Sequence, residues 1–110
     1  MPKYLLEVDY SGQGSAGILS SGGSARRAAV THMIEELGGS VETFYFTFGI
    51  RDCIVVANLP DNVSAVAISL AVSASGSLAI KTTVLVTPEE VDAACLMSAD
   101  YSPPGQAVSE

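Results

Sequence analysis

Arg26 stands where an apolar residue belongs. On a helical wheel it falls in the middle of the stripe made by Val30, Met33, Ile34 and Leu37, one turn before Val30. A guanidinium placed there must snorkel out of the helix's N-terminal end or meet an acid. Two chemistries follow: anion binding beside a helix N-terminus, or a structural ion pair with Asp52, Asp9 or Glu7. Arg27 lies at the edge of the same stripe. A second polar group interrupts the run from Phe44 to Asn58, where two β-type segments flank Gly49 and place Arg51 and Asp52 at a hairpin tip. A carboxylate at a strand start satisfies loop N–H groups, and it becomes a general base only where it is desolvated or paired. Glu7 and Asp9 share one side of a strand, opposite Tyr4, Leu6, Val8 and Tyr10. If helices cover the tyrosine side, these acids point into a space between subunits, where Lys81 and Thr83 can meet them. Such a cluster either lines a ligand cavity or registers a dimer through salt bridges. Arg26, Asp52, Asp9, Glu7 and Tyr45 together form the candidate polar cluster, with no catalytic residue assigned.

The other reactive side chains carry less. His32, the only histidine, lies opposite the apolar stripe beside Ala28, Glu35 and Glu36, and reads as a surface residue whose acidic neighbours favour its protonated form. Tyr4, Tyr10, Tyr45 and Tyr101 suit a core edge or a pocket wall. Cys53 and Cys95 are far apart, with no Cys-x-x-Cys and no histidine pair, so neither a metal site nor a disulfide is expected and a reduced, cytoplasmic chain is the default. No phosphate loop, cofactor motif or internal repeat is visible.

Hydrophobic residues make up 48% of the 110 residues and charged ones only 15%, which excludes global disorder and leaves a surface short of charge. Oligomerisation is the simplest way to hide the excess apolar area. A net charge of −7 makes nucleic acid and anionic membrane poor partners. No apolar run approaches the ~20 residues of a membrane span, and the N-terminus lacks a signal-peptide layout.

The elements that must position these groups follow from periodicity and punctuation. Lys3 to Tyr10 reads as a first strand. Ser11 to Gly23, with five glycines and four serines, reads as a flexible loop with at most one helical turn at Ala16 to Leu19. Ser24 is placed to cap a helix to about Leu37, which Gly38-Gly39 ends. Ser40 to Phe48 and Asp52 to Leu59 are hairpin strands, and Pro60-Asp61 opens a second helix ending near Gly76. Leu78 to Val86 is a fourth strand. Thr87-Pro88-Glu89-Glu90 is a capping box with proline at the first helical position, opening a short helix through about Met97. The order is β-α-β-β-α-β plus a terminal helix: a ferredoxin-like α+β domain over residues 1–97, with two helices on one face of a four-stranded antiparallel sheet, and an extended or mobile tail over 98–110. Strand three is apolar on both sides, which implies that the uncovered sheet face pairs with a second subunit. In the second helix Val63, Val66, Leu70 and Ala74 form the main apolar face, and Ile68 and Val72, with Ala65 beside them, fall on another side. That outer side either meets another subunit or lies under the C-terminal segment. Gly49 is expected to need positive φ.

The chain also resembles the GYD-domain family. The resemblance is carried by Met1-Pro2-Lys3-Tyr4-Leu5-Leu6, Gly22-Gly23-Ser24-Ala25-Arg26-Arg27, Leu37-Gly38-Gly39 and Phe44-Tyr45-Phe46. It continues through Phe48-Gly49-Ile50-Arg51-Asp52, Ala71-Val72-Ser73-Ala74-Ser75-Gly76 and Thr87-Pro88-Glu89-Glu90-Val91. Gly49 and Asp52 fit the family's glycine and aspartate, and the tyrosine position holds Arg51. The resemblance implies a dimeric α+β barrel and no particular reaction. Pro2 after Met1 also resembles the start of tautomerases, whose freed N-terminal proline acts as base, although Met1 blocks the nitrogen here. The expected function is therefore an oligomeric small-molecule-binding or accessory module, with a small anionic or apolar ligand. The alternative is a cofactor-independent enzyme resembling barrel-forming monooxygenases or isomerases, using Arg26 to hold an anionic or enolate oxygen.

Overall fold

The computed structural model describes residues 1–105. Strand β1 (Lys3–Tyr10) occupies an inner position of a four-stranded antiparallel sheet ordered β2-β3-β1-β4, with β2 at Ser40–Phe46, β3 at Cys53–Asn58 and β4 at Leu78–Leu85. Its alternation does what the sequence requires. Tyr4, Leu6 and Val8 are buried, as are Cys53, Val55 and Ala57 of β3, and these form the core with Leu59, with Ile34 of helix α2 (Gly23–Glu36) and with Ala65 and Ile68 of helix α3 (Asn62–Ser75). A bulge at Glu42, between Val41 and Thr43, keeps Val41 and Phe44 on the helix-covered side, opposite Ala57 and Val55. Over the opposite sheet face, carrying Leu5, Glu7, Asp9, Ile54 and Val56, no helix packs among the described residues. The architecture is mixed α+β, with four helices among the described residues, the remaining two being α1 (Gly12–Ser21) and α4 (Pro88–Cys95).

Several boundaries match the punctuation. Asp61 caps α3, its carboxylate accepting from the Ser64 N–H at 2.9 Å. Gly39 N–H and Gly38 N–H donate to Ile34 and Glu35 carbonyls at the end of α2. Thr87 and Glu90 form the capping box of α4.

Several expectations are corrected. The glycine-rich segment is a ten-residue helix, not a loop. Ser11 caps it through Gly14 N–H, and Ser11 is anchored by its own N–H and Oγ to the Ser77 carbonyl at 3.0 and 2.8 Å. Gly14 lets this happen, because a Cβ there would overlap the Ser77 carbonyl oxygen. Ser24 caps nothing: α2 begins directly after Gly22, whose φ of 86° breaks the chain between α1 and α2. The hairpin strands stop at Phe46 and start at Cys53, leaving Phe48, Gly49 and Ile50 in an exposed loop, and Gly49 has no positive φ. Helix α3 is turned the other way round. Ala65 and Ile68 face the core, Val72 packs beside them, and Ser69 Oγ lies 2.8 Å from Thr82 Oγ1 of β4, while Val63, Val66 and Leu70 face outward. Tyr4 helps fix this rotation by donating from its phenol to Asn62 Oδ1 at 2.6 Å. The fourth strand ends at Leu85 and the last helix at Cys95, one and two residues before their expected ends. Of the expected tail, 98–105 has no regular element beyond a turn at Pro104-Gly105, and 106–110 lies outside the described residues.

Candidate functional site

Strand alternation divides the candidate cluster between the two sheet faces. On the uncovered face Glu7 and Asp9 both bind Arg51, through Nε at 3.3 Å and Nη1 at 3.0 Å. The bond to Glu7, and the charge of Asp9, raise the Arg51 pKa further. Lys81 lies opposite Glu7 in register, but the salt bridge goes to Arg51. Tyr45 is on this face too, opposite Ile54 and exposed. The hairpin arginine thus ties two acids of the neighbouring strand, and only its proximity in the folded register reveals it.

Asp52 lies at the sheet end between the two faces. Its carboxylate accepts the Tyr10 N–H at 2.9 Å, and its own N–H donates to the Val8 carbonyl at 3.0 Å. It prolongs the β1–β3 pairing past the strand ends.

Arg26 is on the covered side with neither acid near enough to pair. Asp9 is held by Arg51 and Asp52 by the Tyr10 amide, so the expected ion pair is not formed. Its guanidinium carbon sits 5.9 Å from the centroid of the Tyr10 ring, a cation–π distance. Its Nε is buried without a hydrogen-bond partner. A buried donor left unmade costs about 1–3 kcal/mol. The guanidinium stands at the boundary of two spaces. Outside is a cleft of about 400 Å³ between α1, α2 and the start of β4, with Gln13, Ser21 and Ser77 on its polar wall and Ile18 and Leu78 on its apolar one. Inside is a void of about 30 Å³ among core side chains that include Met33, Phe44, Cys53 and Val72. Tyr10, Arg26 and Leu78 line both.

Burial, and then the neighbouring Cys53, push the Tyr10 phenol above its ordinary pKa, and Arg26 only partly opposes this. Burial likewise raises the Cys53 thiol, with Tyr10 and Arg26 pulling the other way. Both groups therefore stay protonated and neutral at pH 7, and among the described residues no acid pairs with the Arg26 guanidinium. A neutral thiol is a poor nucleophile. The arrangement suits holding an anion better than attacking a substrate.

Sequence reasoning found Arg26 but not its surroundings. Gln13, Ser21 and Ile18 were hidden because their segment reads as loop, and Ser77 because nothing marks it apart from the helix end it follows. Among the described residues no group of three or more His, Cys, Asp or Glu is placed to hold a metal, and no helix is long and apolar enough to cross a membrane.

A family model for the GYD domain matches residues 4–95. No curated protein and no solved structure matches the chain.

Proposed function

The chain belongs to the GYD-domain family, and from that premise we propose that it is an oligomeric module that binds a small, partly apolar anion in the cleft under α1 and α2. The observation that carries this is the buried, unpartnered Nε of Arg26 at the cleft wall. A carboxylate or similar group would complete its hydrogen bonding, and the apolar remainder would lie along Ile18 and Leu78. A cleft of this volume accommodates a small metabolite. The sheet order, with α2 and α3 on one face, supports a ferredoxin-like arrangement over residues 1–97, with 98–110 as a tail. The uncovered face, apolar at Leu5, Ile54 and Val56 and crossed by the Arg51 clamp, supports pairing of two sheets into a dimeric α+β barrel. Two free cysteines agree with a cytoplasmic setting.

Octanoate and benzoate are suitable probes. Each should raise the melting temperature saturably. Arg26→Met should abolish that shift and leave the ligand-free melting temperature unchanged or higher, because it removes an unpaired donor. Undiminished binding by the variant would refute the site.

Tyr10 favours a second reading, as an enzyme. A protonated phenol beside an arginine can donate a proton to an enolate-type oxygen held by that arginine. Tyr10→Phe separates the two readings, since a binding module keeps its affinity and an enzyme loses turnover.

A further inference from the structure

Helix α4 packs against no other helix or strand to any extent among the described residues. Every residue from Pro88 to Cys95 is exposed, and Leu96 and Met97 beyond it are 90% and 80% exposed. The radius of gyration is 18.1 Å, against about 13 Å for a compact chain of ~100 residues. The long axis of 63 Å is more than twice either of the others. The last element projects as an arm. Its direction is set by the strand before it, because only Val86 and Thr87 separate β4 from α4, and Pro88 with the capping box fixes the first turn. An eight-residue helix is too short to hold itself together in water, where isolated helices under about 12–15 residues are marginal. A sequence that caps this helix so fully while burying none of it calls for a surface outside the subunit.

One surface of the same chain answers that need. Val63, Val66 and Leu70 on the outward side of α3 are 77%, 55% and 66% exposed and floor a shallow apolar groove. Asn62 to Ser75 contains no Asp, Glu, Lys or Arg, so nothing on α3 keeps that stripe wet. The uncovered sheet face, by contrast, carries Glu7, Asp9, Arg51 and Lys81. Position makes the match reciprocal. Leu85, from which the arm leaves, pairs with Lys3, and so does Asn58, which leads through Asp61 into α3. The root of the arm and the start of the stripe share one end of the sheet, where a two-fold axis would lay each arm on the other copy's stripe.

We infer that two copies of this chain exchange their C-terminal arms, the face of each arm that carries Val91, Ala94 and Cys95 packing into the Val63–Val66–Leu70 groove of the other. Helical spacing turns Glu89, Glu90 and Asp92 away from the Val91–Cys95 face. A helix of eight residues is about 12 Å long and about 10 Å wide, so one contact buries only a few hundred Å². Exchange in both directions brings the pair towards the ~1,000 Å² that a specific interface needs. This contact is separate from the sheet pairing proposed above.

Cys95, one turn after Val91, provides the test. Val66→Cys is oxidised at micromolar concentration and the products are separated without reductant. The expected product is a chain-to-chain disulfide between the introduced thiol and Cys95, formed several-fold less in a background of Val91→Glu, which places a charge on the packed face. A disulfide within one chain, one joining two Cys95 thiols, or none would overturn the exchange. The unsubstituted protein gives an independent measurement by hydrogen exchange. Amides of residues 91–97 should be protected at micromolar concentration, and Leu70→Glu should remove that protection. Unprotected amides in the unsubstituted protein would also refute the proposal.

Discussion

Arg26 is held by packing rather than by an opposite charge, and this makes its neighbours unusual. The Arg26 guanidinium carbon lies 5.9 Å from the centre of the Tyr10 ring, Cys53 lines the same small void, and burial raises the pKa of both Tyr10 and Cys53. The sign of the pH effect follows. A group whose pKa is higher folded than unfolded adds stability that is fully present below the unfolded value and is lost as pH rises through the folded one. With ordinary values of about 8.5 for a thiol and about 10 for a phenol, the melting temperature should decline from about pH 8.5 upward. Tyr10→Phe should flatten the upper part of that decline in a series of melting curves, and an unchanged alkaline limb would contradict the assignment. Arg26 was legible in the sequence because a charge on an apolar stripe is a local anomaly. Its lack of an acid was not legible, since that depends on where Asp9 and Asp52 spend their hydrogen bonds. Both are engaged across strands, by Arg51 and the Tyr10 amide, through contacts of 42 residues' separation.

At the scale of elements, strands and caps were readable and helix rotation was not. β1, the capping box of α4 and the Asp61 start of α3 follow from alternation and local hydrogen bonding. Helix α3 is apolar nearly all round, so its pattern carries little information about which side faces the core, and tertiary contacts at Tyr4 and Thr82 decide. Helix α1 failed for the opposite reason. Its glycines oppose helix formation by about 1 kcal/mol each relative to alanine, and the compensating bonds come from Ser77, 66 residues away from Ser11. The two kinds of glycine in α1 can be told apart. Gly17 has open space where a Cβ would go, so Gly17→Ala should stabilise the protein by about 0.5–1 kcal/mol in denaturant unfolding. Gly14 faces the Ser77 carbonyl, so Gly14→Ala should destabilise it. Equal effects of the two changes would mean that α1 does not pack against the start of β4.

At the scale of the molecule, the described residues leave two surfaces without a layer: the sheet face and the α3 stripe. Their characters differ. The stripe is uncharged, while the sheet face mixes Leu5, Ile54 and Val56 with the Arg51–Glu7–Asp9 clamp. Two sheets packed on that face would bury the clamp and strengthen its bonds, at a desolvation cost that makes register strict. Val56 is the position to probe, because it lies mid-face, between Leu5 and Thr43 in the two registers. Val56→Lys leaves the covered core untouched, so each chain should still fold. Between two sheets its ammonium would be buried, or would force the sheets apart. Sedimentation at micromolar concentration should therefore show a smaller assembly for the variant, with far-ultraviolet circular dichroism unchanged. The disulfide between the thiol introduced at position 66 and Cys95 should still form in this background, because arm exchange uses other residues. An unchanged mass would mean that the sheet face stays open to solvent, and the Arg51 clamp would then be a surface ion-pair network with little effect on stability.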